Sequence, residues 1–230
     1  MYYLKIFLTV LYIFLTSVLG ILFCIFRPAD ARNLCIVGKI MSKGVLYIWG
    51  INVILHNKHI FKECKNVIYV SNHQHNLDAF VIGSIVPFKT VSLAKRELLY
   101  IPIFGLFYYL SGNILIKRQN KNKALKTMHK AGLEIVRKKV SVWIMPEGTR
   151  NHGEMKDFKK GAFNLATQIK RPVVPITISN YEKLDFRARK AGTVHMYIHE
   201  PISTEKLTRD DVVKLSDHCR ELIKNKFENL

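Results

Sequence analysis

The residue types best suited to acid–base chemistry lie in the stretch from Val70 to Asp78, which reads Val-Ser-Asn-His-Gln-His-Asn-Leu-Asp. His73 is a candidate general base, because an imidazole can take up a proton near neutral pH. Asp78 is a candidate partner, since a carboxylate near a histidine fixes its tautomer and stabilises the imidazolium that forms. The competing interpretation is that His73 packs locally and Asp78 only favours a helix N-terminus. The rest of the chain decides between the two.

The flanking residues predict a strand-to-helix turn around this pair. Val67 to Val70 is a β-branched run typical of a buried strand, and Leu77 to Ile85 has the pattern of a helix. Residues at the end of a strand are held rigidly, yet they open into the crevice beyond the sheet. We therefore expect His73 at the rim of a sheet, with Asp78 in the first turn of the following helix.

Beyond residue 60 the sequence alternates between strand and helix patterns, which predicts an α/β domain over residues 61–230. The further predicted strands are Thr90–Ala94, Asn113–Ile116, Val140–Met145, Val173–Ile178 and Val194–Ile198. Helical spacing of apolar residues covers Lys121 to Arg137 and the region from Val212 to Phe227. Pro175 is expected at a sheet edge or a bulge, because proline lacks the N–H that a central strand needs.

Residues 1–60 are predicted to anchor the chain to a membrane. Ile6 to Phe26 carries no charge and is long enough to cross a hydrocarbon core of about 30 Å. The run is longer than a signal-peptide core and no A-x-A cleavage site follows it. Basic residues after the run favour a cytoplasmic domain on that side. A second apolar stretch, Gly44 to Leu55, is too short to span, so a single span and a helical hairpin inserted from one face remain as alternatives.

The overall charge predicts an anionic partner. The 230 residues include 36 lysines and arginines against 17 acidic residues, a net charge of +19. Such a chain is suited to phospholipid headgroups, nucleic acid, or an acidic substrate or carrier protein. The four cysteines form no CxxC pair and no His/Cys spacing of a zinc site, so neither a metal nor a disulfide framework is predicted.

Cations and small residues recur where predicted strands end. Lys95 follows one strand, Gly112 to Arg118 contains another, and Pro146-Glu147-Gly148-Thr149-Arg150 follows a third. Each stretch alone is compatible with an ordinary surface turn. Strand ends on one edge of a sheet converge on one crevice, however, where glycine permits close backbone approach and arginine offers a planar fork for phosphate oxygens. Together with His73 they predict a base beside a phosphate-binding site.

These blocks resemble, in order and approximate spacing, the four motif blocks of the glycerolipid acyltransferases. The blocks are His73-x4-Asp78, Gly112 to Arg118, Pro146 to Arg150 and the strand end at Pro175, and the likeness covers roughly residues 60 to 200. The resemblance is strongest to the members that acylate 1-acylglycerol 3-phosphate. The second block differs from the family pattern, which usually ends in an acidic residue and arginine, whereas this chain has Lys117-Arg118.

The resemblance implies an enzyme that transfers an acyl chain from acyl-CoA or from acyl carrier protein to the free sn-2 hydroxyl of 1-acyl-sn-glycerol 3-phosphate, giving phosphatidic acid. His73 would deprotonate this hydroxyl, Asp78 would orient His73, and neither a cofactor nor a metal is implied. The residues implied in binding the acceptor are Lys95, Arg118, Glu147, Gly148, Thr149 and Arg150, with Arg150 and Lys95 the first candidates for its phosphate.

The same resemblance implies a mixed β-sheet flanked by helices, preceded by the membrane-anchoring helical segment. The expected location is a membrane, with the catalytic domain on the cytoplasmic face, as at a bacterial inner membrane. Phospholipid, the lysophospholipid acceptor and the acyl donor are then the partners, and no nucleic acid is expected.

Three alternatives remain open. In the first, the enzyme is an acyltransferase whose acceptor is another lysophospholipid, glycerol 3-phosphate or a lyso-aminolipid. In the second, His73-x-His75 chelates a metal in a hydrolase, which is disfavoured because Asp78 comes too late and no histidine follows it. In the third, the chain is a membrane-tethered protein that binds anionic ligands without catalysis.

Overall fold

The computed structural model describes residues 1–116, 121–151 and 154–230, with the backbone alone at 95, 116 and 121–129. The helices are α1 Tyr2–Ile25, α2 Ala31–Asn33, α3 Lys39–Trp49, α4 Ile60–Glu63, α5 Asp78–Ile85, α6 Phe104–Leu110, α7 Lys121–Lys138, α8 Gly161–Ile169 and α9 Val212–Glu228. A π-helical turn, Leu34–Gly38, precedes α3, and a 3₁₀ turn, Arg96–Tyr100, precedes α6. The strands are β1 Ile51–His56, β2 Ile68–Ser71, β3 Thr90–Lys95, β4 Ile114–Ile116, β5 Ser141–Ile144, β6 Val173–Ile178 and β7 Gly192–Ile198.

The strands form a mixed sheet in the order β1-β7-β6-β2-β5-β3-β4. β2 pairs in parallel with β5 and with β6, whereas β6 and β7 are antiparallel. The predicted fold class, a mixed sheet flanked by helices, is therefore confirmed. Six of these strands were expected from the sequence, and their ends agree with the predicted ends within one or two residues.

β1 was not expected, because its residues continue the apolar stretch that begins at Gly44. Gly50 separates the two elements: it ends α3 in the left-handed conformation, at φ +63°, and its N–H donates to the carbonyl of Tyr47. Only glycine fits here, since a Cβ would lie 2.3 Å from the carbonyl oxygen of Arg189. The stretch thus contains the end of α3 followed by β1.

Pro175 was expected at a sheet edge or a bulge, and the edge position is wrong. It lies inside β6 opposite Val70 of β2, and β6 has β7 on its other side. Its carbonyl accepts from the N–H of His199 at 2.9 Å, just beyond the last paired residues of β6 and β7. Next to it the antiparallel pairing shifts by one residue, from Ile176 opposite Ile198 to Val173 opposite Ile202. Pro175 therefore lies beside a bulge, where the missing N–H of proline is tolerated.

Contacts divide the chain into two compact units. The first contains Met1–Ile54, Asn76–Leu115 and Tyr181–Val194, and the second contains Leu55–His75, Ile116–Asn180 and His195–Leu230. The boundary near residue 60 between an anchoring segment and a catalytic domain stays a prediction.

In the first unit, α1 packs along much of its length against α3 and α6. Near its start the buried Lys5 donates to the carbonyls of Trp49 at 3.2 Å and Ala188 at 2.6 Å. In its middle the Tyr12 hydroxyl donates to the carbonyl of Ile40, and near its end Gly20 lies against Phe107. The opposite side of α1 exposes large apolar side chains such as Tyr3, Leu4, Phe7, Val10, Phe14 and Leu19. α1 is the one helix in the described residues that is long and apolar enough to cross a membrane, and it is a candidate membrane anchor.

In the second unit, a buried sheet carries the core. Every residue of β2, β5 and β6 is buried, as expected for strands covered on both faces. α9 packs on β6, and α8 contributes the buried Phe163 and Leu165. This packing fixes the end of β2, and the candidate base His73 lies two residues further along the chain.

Burial lowers the pKa of His199, which lies just beyond β7. Its Nε2 and the Thr177 hydroxyl are 2.8 Å apart. Loss of hydration, with a smaller effect of the Lys226 charge, lowers the pKa of His199 from 6.5 to about 4.

We expect this shift to make folding less favourable in mild acid. The unfolded histidine takes up its proton below about pH 6.5, before the folded one does, so the free energy of unfolding falls between about pH 6.5 and pH 4. His199→Gln should show a smaller loss than the wild type between pH 7 and pH 5, measured by denaturant unfolding in detergent. His218→Gln, which removes an exposed histidine on α9, is the matched control. An equal loss in wild type, variant and control would contradict the assignment.

Candidate active site

His73 lies two residues beyond the end of β2, in the turn that leads to α5. β2 ends at Ser71 and α5 begins at Asp78, so the predicted strand, turn and helix are confirmed. His73 is half-buried, whereas its neighbours Asn72 and Gln74 are buried. The turn thus leaves one accessible histidine between two inaccessible amide side chains.

Those two amides fix the turn to the end of β6. Asn72 donates through Nδ2 to the carbonyl of Ile178 at 2.9 Å and accepts through Oδ1 from the N–H of Ile178 at 2.8 Å. Gln74 donates through Nε2 to the carbonyl of Ser179 at 2.7 Å. A buried side chain that satisfies backbone groups on a neighbouring strand end is costly to displace. The chain is therefore held on both sides of His73.

Glu147 and Asn151 hold the backbone of His73 itself. The His73 N–H donates to Oε1 of Glu147 at 2.7 Å, and the His73 carbonyl accepts from the N–H of Asn151 at 2.9 Å. The second carboxylate oxygen of Glu147 accepts from Asn151 Nδ2 at 2.8 Å and from the N–H of Lys156 at 3.0 Å. Both backbone groups of His73 are thus bound to the segment that follows β5.

The Glu147 carboxylate is only 2% exposed. Burial raises its pKa, and the hydrogen bonds from Lys156, His73 and Asn151 together with the charge of His73 act in the opposite direction. A buried carboxylate is tolerated only where donors replace the lost water. The three N–H groups fill this role.

The segment around Glu147 also presents groups that can bind a phosphate. Gly148 turns the chain at φ +73°, and the next two residues, Thr149 and Arg150, are exposed. The Lys156 ammonium donates to the Arg150 carbonyl at 3.0 Å and to the Thr149 hydroxyl at 3.4 Å. Within the described residues the Arg150 guanidinium makes no ion pair. Two cations and a hydroxyl on one exposed segment are suited to phosphate oxygens.

Asp78 lies in the first unit, where it is fully buried in the first turn of α5. Its charge acts on Tyr181 in the same unit. Burial raises the pKa of Tyr181 well above its usual value, and the charge and hydrogen bonding of the Asp78 carboxylate raise it further. The phenol therefore stays protonated near the Asp78 carboxylate.

Two further site residues were predicted, Lys95 and Arg118. Lys95 is the last residue of β3, where the structure describes its backbone alone, and Arg118 lies outside the described residues. In the described part of the chain, no group of three or more His, Cys, Asp or Glu side chains has an arrangement that could hold a metal ion.

Four side chains of this region were missed as functional candidates: Asn72, Gln74, Asn151 and Lys156. The first two flank His73 in sequence, and a polar side chain beside a buried strand end is a detectable signal, because it must find backbone partners. Asn151 directly follows Arg150. Lys156 lies outside the motif blocks.

Comparison with known proteins defines the class of enzyme to which this arrangement belongs. The family described as Acyltransferase matches residues 52–179, more than half of the chain, and the chain belongs to this family. The matched range contains β2, the His73 turn, the Glu147 segment and all of β6. The prediction of an acyl-transferring enzyme from the motif blocks is therefore confirmed.

The relatives narrow this class. The chain is 32% identical over its full length to the 1-acyl-sn-glycerol-3-phosphate acyltransferase of Salmonella typhimurium, covering 94% of that protein. It is 36% identical to the human 1-acyl-sn-glycerol-3-phosphate acyltransferase alpha over 95% of this chain and 78% of the human protein. A crystal structure of the 1-acyl-sn-glycerophosphate acyltransferase PlsC from Thermotoga maritima shares the fold, with a TM-score of 0.75, 22% identity, and coverage of 100% of this chain and 97% of that one.

Proposed function

We propose that this enzyme acylates the free sn-2 hydroxyl of 1-acyl-sn-glycerol 3-phosphate and releases phosphatidic acid. The activity after which the relatives from Salmonella typhimurium and human are named supports this acceptor. The observation that carries the chemistry is the position of His73, whose backbone is bound through its N–H and its carbonyl while its side chain remains half-exposed.

In the proposed reaction His73 is the general base. Its imidazole takes the proton of the acceptor hydroxyl as the oxygen attacks the thioester carbonyl carbon. The carbon–sulfur bond then breaks, and the leaving thiolate takes the proton from the imidazolium, so His73 returns to its starting state without an acyl-enzyme. Asp78 orients the imidazole and stabilises its positive charge. General-base assistance of this kind contributes about 10² to 10⁴ in rate.

The acceptor phosphate binds to the exposed segment that follows Glu147. Arg150 provides a planar fork, and the Thr149 hydroxyl and the Lys156 ammonium lie beside it. Lys95 and Arg118 are assigned to the same phosphate from their motif positions. Gly148 keeps the backbone close to the ligand, because it has no side chain and already adopts a positive φ.

The donor is acyl-CoA or acyl carrier protein, both of which are anionic and suited to a chain of net charge +19. Glycerol 3-phosphate, other lysophospholipids and lyso-aminolipids are the competing acceptors. An acyl-transfer assay with purified enzyme, each donor and a panel of these acceptors identifies the pair used.

Two variants in that assay test the assigned roles. His73→Ala should lower kcat by at least about 10² to 10⁴, the contribution of a general base. Arg150→Ala should mainly raise the acceptor KM, by about 10- to 100-fold, as expected when charged hydrogen bonds of about 1.5–3 kcal/mol are lost. Arg137→Ala is the matched control: it removes the same charge from an exposed arginine of α7 that pairs with Glu134 at 2.8 Å.

The two assigned roles are tested by separate results. Near-normal turnover of His73→Ala would remove the general base. An acceptor KM that changes equally in Arg150→Ala and Arg137→Ala would show a general charge effect and remove the phosphate assignment.

For the membrane anchor we propose that α1 lies on one leaflet rather than spanning the bilayer. Its start is bound to the protein through Lys5 and its middle through Tyr12, so one side of the helix is occupied by α3 and α6. Its other side is apolar and exposed, as in helices that lie in the interfacial plane. The catalytic residues then act on the cytoplasmic face, where the lysophospholipid can enter from the same leaflet.

This arrangement predicts that both chain ends lie on one side of the membrane. Protease-cleavable tags before Met1 and after Leu230 should both be cut in inverted inner-membrane vesicles and both be protected in intact spheroplasts. A spanning α1 would instead expose the N-terminal tag in spheroplasts while the C-terminal tag stays protected, and this result would contradict the one-leaflet proposal.

A further inference from the structure

We infer that Asn151 is a positioning residue for the catalytic histidine, acting through Glu147 and through the backbone of His73. The inference rests on the proposed role of His73 as the base. It concerns a residue that lies just outside the Pro146 to Arg150 motif and that the sequence did not mark as functional.

Two separate bonds connect Asn151 to His73. Its N–H donates directly to the His73 carbonyl at 2.9 Å. Its side-chain Nδ2 donates at 2.8 Å to Oε2 of Glu147, whose other oxygen accepts from the His73 N–H at 2.7 Å. The three residues form a closed ring of hydrogen bonds: His73 carbonyl, Asn151, Glu147 and His73 N–H. Such a ring fixes the peptide planes on both sides of His73.

Burial favours a positioning role over contact with substrate. Asn151 is 7% exposed and Glu147 is 2% exposed, whereas the adjacent Thr149 and Arg150 are exposed. The side chains that can meet an anionic ligand therefore precede Asn151, while Asn151 itself faces the turn that carries the base.

The geometry also explains why an amide is suited to position 151. The Glu147 carboxylate can only accept hydrogen bonds while it is ionised, so its partner must donate. Asparagine donates through Nδ2 and adds no charge. Aspartate has nearly the same shape but would place a second carboxylate against Glu147, and like charges at this distance repel strongly in a buried site.

The consequence for catalysis follows from how sensitive proton transfer is to distance. A general base must lie within hydrogen-bond reach of the proton that it takes. A displacement of about 1 Å can reduce the rate by about 100-fold, even when the changed residue does not touch the substrate. Loosening the ring should therefore lower kcat and leave acceptor binding to Arg150 and Lys156 intact.

The test is a set of variants assayed for kcat and acceptor KM. Asn151→Asp should lower kcat by about 100-fold with an acceptor KM close to that of the wild type. In the double variant Glu147→Gln with Asn151→Asp, the new amide Nε2 at position 147 donates to the new carboxylate at position 151 and Oε1 still accepts from the His73 N–H, while the bond from the Lys156 N–H is lost. The double variant should therefore have a kcat about tenfold above that of Asn151→Asp, a partial recovery. Recovery by a second substitution distinguishes positioning from simple damage to the fold.

Thr204→Val is the matched structural control. Thr204 is also buried, and its hydroxyl donates to the carbonyls of Ala166 at 3.2 Å and Arg171 at 2.9 Å. This variant should lower the melting temperature and keep the wild-type kcat at a temperature where it is folded.

Three results would overturn the inference: a normal kcat in Asn151→Asp, a double variant no better than the single one, or a rise in acceptor KM in place of the fall in kcat. His73→Ala in the same assay separates the two proposals. If His73→Ala is active, the general-base assignment fails. If it is inactive while Asn151→Asp is fully active, only the positioning role of Asn151 fails.

Discussion

The candidate site depends on one buried carboxylate that accepts three N–H groups. Glu147 receives hydrogen bonds from His73, Asn151 and Lys156 at 2.7, 2.8 and 3.0 Å. A carboxylate without water is stable only with such donors, so its burial forces the turn that carries His73 to meet the segment that carries Asn151 and Lys156. The turn after β2 is consequently fixed relative to the segment after β5, and both are fixed to β6 through Asn72.

The segment after β5 has two faces with different tasks. Glu147 and Asn151 point their polar groups inward to the backbone of His73, while Thr149 and Arg150 between them are exposed to solvent. Gly148 permits this alternation because it turns the chain at a positive φ. In the proposed reaction, one short segment therefore sets the position of the base and also offers the cations for the acceptor phosphate. The hydrogen bonds from this segment to His73 then determine how far the base lies from the acceptor phosphate.

Most of the strands and several helices could be predicted from local sequence patterns. The partners of the site residues could not, because they are distant in sequence. β-branched runs and helical spacing predicted six strands and the helices α5, α7 and α9, because these signals are local. β1 was missed because apolar residues run on from α3, and only Gly50 marks the change. For Pro175 the sequence left an edge and a bulge open, because the one-residue shift in pairing beside it depends on Ile198 and Ile202, which are distant in sequence. The partners of Glu147 lie 74 residues before it, at His73, and 9 after it, at Lys156, and no periodicity encodes such a pairing.

The most direct test of this account is the hydrogen exchange of the His73 amide. The chain has nine histidines, so ¹⁵N-histidine labelling gives a short set of amide signals, and His73→Gln identifies the one from position 73. We expect this amide to exchange slowly in the wild type and at least about tenfold faster in Glu147→Ala, as the loss of a charge-assisted bond of about 1.5–3 kcal/mol predicts. Rapid exchange in the wild type, or the same rate in both proteins, would contradict the central claim that Glu147 holds the turn of the candidate base in place.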